Sequence, residues 1–317
     1  MRNWQDSDRG KPTEGQYNQP VRPSNLTIAL ILTAGVLAIS FGSVLVRLAT
    51  TAAGFESPGL SLVISALRLT AASLLLLPAW QALRGARLEA GAWIYAVLAG
   101  VLLAVHFATW ITSISFTSIA VSTTLVNTNP LWVALLAWLW LGQRPSALTL
   151  AGIAVAFAGG VVIALGGSSN PGSNPALGNL LALLGALAAS CYFLLGREAQ
   201  RRGFGIGLYA AVAYSTAAVV LLLLPPLFQT PFSGYPPAFY LWVVLMALIP
   251  QLIGHTSFNW AVKWINPVIV TLVILLEPIG ASLLAFALFG ELPGAQVLAG
   301  AGVMLAGVVL AVLGNRS

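Results

Sequence analysis

Charge is scarce in this sequence. Asp, Glu, Lys and Arg make up 7% of its 317 residues, while 58% are hydrophobic; a soluble globular domain carries about a quarter charged residues. A mean hydropathy of +0.91 is more than a soluble core could absorb, which excludes an ordinary soluble enzyme or binding module. A single cysteine, Cys191, excludes an intramolecular disulfide and every multi-cysteine metal motif. There is no GxxxxGK[ST] phosphate loop, so an ATP-driven pump would need another subunit. No HExxH pair and no serine–histidine–aspartate arrangement is visible either. His106, His255 and Glu277 could in principle gather round a metal, but nothing in their spacing argues for one, and no cofactor is expected. The net charge of +6 would suggest nucleic acid in a soluble protein. Here the basic residues flank apolar runs, so membrane topology explains them and no nucleic-acid partner is expected.

What the sequence does hold is a duplication. Shifted by 148, the run Pro130–Ala164 lies on Pro278–Val312 without a gap, and fourteen of the thirty-five positions are identical. The identities include Pro130/Pro278, Gly142/Gly290, Pro145/Pro293, Gly152/Gly300 and Gly159/Gly307. Apolar bias supplies chance Leu and Ala matches, but not Pro and Gly in register. Earlier in each copy, LAISFGSVLVRLA at 37–49 resembles LAASCYFLLGREA at 187–199, which aligns Ser40 with Ser190.

Apolar stretches of about 20 residues, the length that crosses about 30 Å of hydrocarbon, stand near 26–48, 58–80, 92–115, 119–141, 146–166, 176–198, 205–228, 236–260, 266–289 and 294–314. Turn chemistry separates them, as at Ser57-Pro58-Gly59 and Asn266-Pro267. The expected fold is therefore an all-α membrane protein of ten transmembrane helices. Residues 1–24 are polar and proline-bearing and read as a disordered cytoplasmic tail. A first unit spans 25–166, a linker 167–175, and a second unit 176–317. The first apolar run has no small-residue cleavage site close behind it and reads as an anchor. With ten spans both termini share one side. That side collects Arg2, Arg9, Lys11, Arg22, Arg84, Arg87, Arg144, Arg197, Arg201, Arg202, Lys263 and Arg316, twelve of the fourteen basic residues, which puts both termini in the cytoplasm. Five helices per unit is an odd number, so the second unit enters the bilayer upside down. Two inverted five-helix repeats are the architecture of alternating-access transporters, with the site near the midplane.

Polar groups inside the spans are expensive and are expected to face a cavity. The eighth span offers Gln251, His255 and Asn259 at i, i+4 and i+8. The third offers Tyr95, His106 and Trp110, which share a side because eleven residues make almost three turns. The second carries Arg68. The fourth has Asn127 and Asn129 before Pro130, and the ninth has Glu277 before Pro278. The sixth and seventh add Tyr192 and Tyr214. The expected substrate-binding set is Tyr95, His106, Trp110, Asn129, Tyr214, His255, Asn259 and Glu277, with Glu277 and Arg68 as coupling groups. Plainer readings compete: a buried histidine is often a satisfied structural group, Arg68 could pin carbonyls, and Glu277-Pro278 could simply break a helix. The glycines of the fifth and tenth spans, Gly152 to Gly160 and Gly300 to Gly307, read as close-packing surfaces. Those two helices are expected to be outer supports.

The segments SFTSIAVSTTLVNTNPLWVALLAWLWLGQRP and NPVIVTLVILLEPIGASLLAFALFGELP resemble the EamA unit. That unit, present twice, defines a large branch of the drug/metabolite transporter superfamily. One departure is Gln143, where the family usually has the glutamate that Glu291 keeps in the second copy. The resemblance implies secondary transport of small metabolites, not catalysis, and a place in the bacterial inner membrane. Length, tail and aromatic content are most similar to the YddG type of amino-acid exporter. The partners expected are an amino acid or similar metabolite and the lipid bilayer; a monomer would suffice. Other cargoes of the superfamily, such as a nucleotide sugar or a cationic drug, stay open, as does a membrane enzyme or lipid-handling protein.

Overall fold

Every regular element among the described residues of the computed structural model, which are 22–117, 119–142, 144–166, 173–290 and 294–314, is helical. The greater part of the expected tail (1–21) and linker (167–172), together with Gln143, Glu291 and Pro293, lies outside them.

The helices start where local chemistry dictates. Ser24 caps α1 (Asn25–Ala53) by accepting from the Thr27 amide, and Ser57 caps α2 (Pro58–Leu75) by accepting from Leu60. Each such cap supplies a partner to an amide that the first turn leaves orphaned. Pro58 at the first helical position adds a preset φ. Helix α1 rises about 1.5 Å per residue over 29 residues, so it outlasts the hydrocarbon and extends five residues beyond its expected end at 48. Helix α2 stops early at Leu75 and passes into a 3₁₀ stretch, Leu77–Gly85. Pro78 explains this, since it removes an amide and restricts the residue before it.

Next come α3 (Ala92–Ile114), α4 (Ile119–Val126), α5 (Asn129–Leu141), α6 (Ala147–Gly166), α7 (Pro175–Arg201) and α8 (Ile206–Leu222). Beyond a short 3₁₀ turn at Pro225–Phe228 stand α9 (Pro237–Met246), a π-helical stretch (Ala247–His255) and α10 (Thr256–Ala261). The chain closes with α11 (Pro267–Ile274), α12 (Glu277–Phe289) and α13 (Ala295–Gly314). Among the described residues, seven helical segments are long and apolar enough to cross a bilayer: 25–53, 58–75, 92–114, 175–201, 206–228, 237–261 and 267–288. Large side chains such as Leu139 (71% exposed) and Leu30 (61%) stand on the outside, as suits a protein surrounded by lipid. The protein is a multi-pass membrane protein.

Two breaks fix the interior. Helices α4 and α5 part at Asn127-Thr128, and α11 and α12 part at Leu275-Leu276; the breaks are 148 residues apart, the offset of the sequence repeat. Pro130 and Pro278 cause them, because a proline cannot donate to the carbonyl four residues back. With its amide nitrogen facing the carbonyls, Asn129 donates to the freed Val126 carbonyl (3.1 Å) and to Ala186 (2.8 Å). The halves hold each other reciprocally at these breaks. Ser40 of α1 donates to the Glu277 carbonyl (3.4 Å), and Ser190 of α7 donates to the Asn129 carbonyl (3.3 Å). Helices α5 and α12 end alike, on Gly142 (φ 68°) and Gly290 (φ 69°), left-handed positions that glycine adopts without strain.

Helices α6 and α13 pack face to face through glycine. A Cβ on Gly152 would sit 2.3 Å from the Ala311 nitrogen, one on Gly159 would sit 2.4 Å from that of Met304, and one on Gly307 would sit 2.2 Å from that of Ala156. Gly302 has open space instead. It lies two residues past Gly300, on the outer side of α13, and plays no part in the packing expected of it.

Candidate functional site

The breaks open beside the central cavity, a narrow space of about 40 Å³ that has room for little more than water in this conformation. Arg68 reaches it from α2, His106 and Trp110 from α3, and Asn127 and Asn129 from the first break. Tyr192 comes from α7, His255 from the π-helical stretch, and Glu277 from the second break. Ile39, Phe193, Phe258 and Ile274 make its apolar wall.

Arg68 is 1% exposed. Its Nε donates to Gln251 Oε1 at 3.1 Å, and its guanidinium carbon lies 4.3 Å from the centroid of the Phe107 ring. The ring face is negative, so the stack favours the cation. Phe107 in turn meets the His255 ring edge-on at 5.3 Å. Among the described residues, no ion pair joins Arg68 to Glu277. An arginine and a glutamate therefore line one cavity without contact between them. Asn127 stands beside the Glu277 carboxylate.

The α3 wall is aromatic. The His106 and Trp110 rings stack at 5.8 Å with 14° between their planes, and His106 and His255 lie 6.4 Å apart. His106 Nδ1 is 3.0 Å from the Gly185 carbonyl, which can only accept, so that nitrogen carries a proton. Trp110 Nε1 and His255 Nδ1 are buried with no hydrogen-bond partner among the described residues. An orphaned buried donor costs about 1–3 kcal/mol, which a ligand oxygen would relieve.

Six of the nine singled-out residues thus share this cavity: Arg68, His106, Trp110, Asn129, His255 and Glu277. Three do not line it. Tyr95 shares a side of α3 with His106 but lies eleven residues, about 16 Å, along the axis; it lines a separate pocket with Arg197, Arg201 and Arg202. Asn259 and Tyr214 sit one layer back. Asn259 Nδ2 donates to the Tyr192 hydroxyl and to the Tyr214 hydroxyl (3.4 Å), and Tyr214 bonds with Thr256 Oγ1 at 3.0 Å. Both position Tyr192, which does reach the cavity. The eighth span fails to present one face because π-helical turns close on i+5 instead of i+4. That stretch forms around Pro250, and it turns Pro250, His255 and Phe258 inward while Gln251 and Asn259 point into the protein. Gln251, the partner that holds Arg68, was legible as a polar residue in a span but not as an arginine anchor.

Comparison with known proteins follows the same division of the chain. The model of the EamA-like transporter family matches residues 25–165 and again 176–313. A protein of Streptantibioticus cattleyicolor described as a probable terminal-alkyne amino-acid exporter is 31% identical over 186 residues, 59% of this chain and 61% of the exporter. The alignment therefore spans less than two thirds of that relative's length. An uncharacterized transporter of Archaeoglobus fulgidus is 23% identical over 204 residues, covering 64% of this chain and 71% of its own. One crystal structure superposes with a TM-score of 0.74 at 21% identity, covering 92% of this chain and 99% of the other, a likeness of fold. With both halves matched, the chain belongs to the EamA-like transporter family, a branch of the drug/metabolite transporter superfamily.

Proposed function

We propose that the protein is a secondary transporter that exports amino acids, aromatic or other apolar ones among them, by alternating access through the central cavity. The observation that carries this reading is the pair Arg68 and Glu277, opposite charges that line one cavity and form no ion pair with each other. A zwitterion matches that arrangement: its carboxylate meets the guanidinium, its ammonium meets the carboxylate, and its side chain lies against Trp110, Phe193 and Phe258. Tyr192, held by Asn259, and the unpartnered nitrogens of Trp110 and His255 offer further polar contacts. The name given to the Streptantibioticus cattleyicolor relative supports the same class of cargo. Glu277 is the group we assign to carry a proton, should export be proton-coupled.

The topology belongs to the same proposal. Ten spans form two inverted five-helix repeats, 25–166 and 176–317, joined by 167–175, with the tail 1–24 and both termini in the cytoplasm of a bacterial inner membrane. The equal offset of the two breaks, the reciprocal serine contacts and the twelve basic residues on one side support it.

A cationic drug is the rival cargo that Glu277 favours, but an arginine on the same cavity repels a cation. The purified protein in vesicles, offered an apolar amino acid, its decarboxylated amine and its deaminated acid, separates the two. Only the zwitterion is expected to move well; each analogue should be roughly ten-fold slower or worse, the worth of one charged hydrogen bond. An amine carried as fast as the amino acid would refute the reading.

A further inference from the structure

A second pocket lies at the end of the bundle that gathers the basic residues, and transport leaves it without a role. It has a volume of about 230 Å³ between α3, α5 and α7 and includes Arg197, Glu198, Arg201 and Arg202, with Tyr95 and Trp140 at its sides. Three arginines and one glutamate line it, and Glu89 lies beside Arg202, its amide donating to the Arg202 carbonyl at 3.0 Å. Glu198 is already engaged, since Arg202 Nε donates to it at 2.8 Å. Arg202 is further tied by donating to the Ala90 carbonyl at 3.0 Å and by lying 4.5 Å over the Tyr95 ring. Arg197 is left over. Its Nε and one Nη are buried with no hydrogen-bond partner among the described residues, and Arg201, one turn on, is exposed. Buried guanidinium nitrogens without an acceptor are costly, and an arginine fork fits the oxygens of a phosphate in a paired, planar way.

The geometry points to a binding site for the phosphate of an anionic phospholipid, with Arg197 and Arg201 as its ligands. Exposed apolar side chains stand beside the pocket. Trp140 is 55% exposed, Leu139 beside it is 71% exposed, and Leu98, one turn from Tyr95 on α3, is 46% exposed. A phosphate tethered to acyl chains can lay those chains on these side chains, whereas a free anion gains nothing from them. Basic pockets between helices at the membrane surface are suited to such headgroups. The site is independent of the exported cargo, because Arg197 and Arg201 do not line the central cavity.

The test reads binding and not transport. The full chain, purified in detergent, is titrated separately with phosphatidylglycerol, phosphatidylcholine and inorganic phosphate, and retained ligand is counted by native mass spectrometry. Phosphatidylglycerol should be retained in preference to phosphatidylcholine. Arg197→Gln and Arg201→Gln should each lower phosphatidylglycerol retention about five-fold and leave phosphatidylcholine unchanged. Arg201 is exposed, so its variant carries the test even where Arg197→Gln folds poorly. Equal retention of the two lipids by the parent, or of phosphatidylglycerol by parent and variants, would overturn the proposal. Displacement of phosphatidylglycerol by millimolar phosphate would also overturn it, because the site would then take a soluble anion.

Discussion

Gly307→Ala adds one methyl group and should destabilise the protein, against the usual effect of that change. In an exposed helix interior, alanine is favoured over glycine by about 0.5–1 kcal/mol. At Gly307 the new Cβ would lie 2.2 Å from the Ala156 nitrogen, 2.6 Å from its Cα and 2.7 Å from the Gly152 carbonyl oxygen. All three are backbone atoms, so no side chain can swing aside. Ordinary contact needs about 3.5 Å or more, so α6 and α13 would have to separate by about 1 Å, which pulls apart the neighbouring contacts at Gly152 and Gly159. Overpacking of this kind costs about 1–3 kcal/mol, which exceeds the gain in propensity. Gly302→Ala, five residues away on the same helix, is the control: nothing lies within 4 Å of its Cβ, so propensity alone acts. Thermal unfolding in one detergent should lower the midpoint of Gly307→Ala by several degrees, at roughly 2–4 °C per kcal/mol, and leave Gly302→Ala unchanged or raised. Equal midpoints for the two variants would refute the glycine-mediated contact of α6 with α13.

Three further outcomes follow from the cavity and the topology. Trp110→Ala should slow the export of bulky apolar amino acids roughly two- to ten-fold, the worth of one aromatic contact, and leave alanine transport nearly unchanged; equal losses would remove Trp110 from the side-chain wall. Reporter fusions after Gly91 and Gly203 should read cytoplasmic and one after Gly167 should read outside, and the reverse at Gly167 would end the inverted-repeat topology. Glu277→Gln should abolish any component of transport driven by a pH gradient while the protein still folds, as judged by an unchanged elution volume. Retention of that component would assign the proton elsewhere.

The landmarks of the duplication were legible because their physics is local. Pro130 and Pro278 break helices wherever they stand, and Gly142 and Gly290 end them in a left-handed turn, so the repeat offset reappears in the breaks. Polar residues within apolar runs were likewise legible as interior groups, since lipid penalises them in every fold. Depth and phase were not. Helical spacing shows that Tyr95 shares a side with His106 but not that about 16 Å of axis separates them. Spacing also assumes a constant 3.6 residues per turn, and the π-helical stretch around Pro250 breaks that assumption, which sends His255 to the cavity and Asn259 behind it. Tyr192 and Gln251 were visible as polar residues in spans, yet their work depends on partners in distant segments: Tyr192 is held by Asn259, and Gln251 holds Arg68.

The central claim, that Arg68 and Glu277 clasp the two ends of a zwitterion, is tested most directly by how each variant ranks three substrates: an apolar amino acid, its amine and its acid. Ratios of transport rates cancel any general loss from disturbing Gln251 or Phe107. Arg68→Gln should erase the preference for the amino acid over the amine, a change of roughly ten- to a hundred-fold, while keeping its preference over the acid. Glu277→Gln should do the opposite. Both variants losing rate with the parent's ranking intact would contradict the claim and leave the two charges with a structural role.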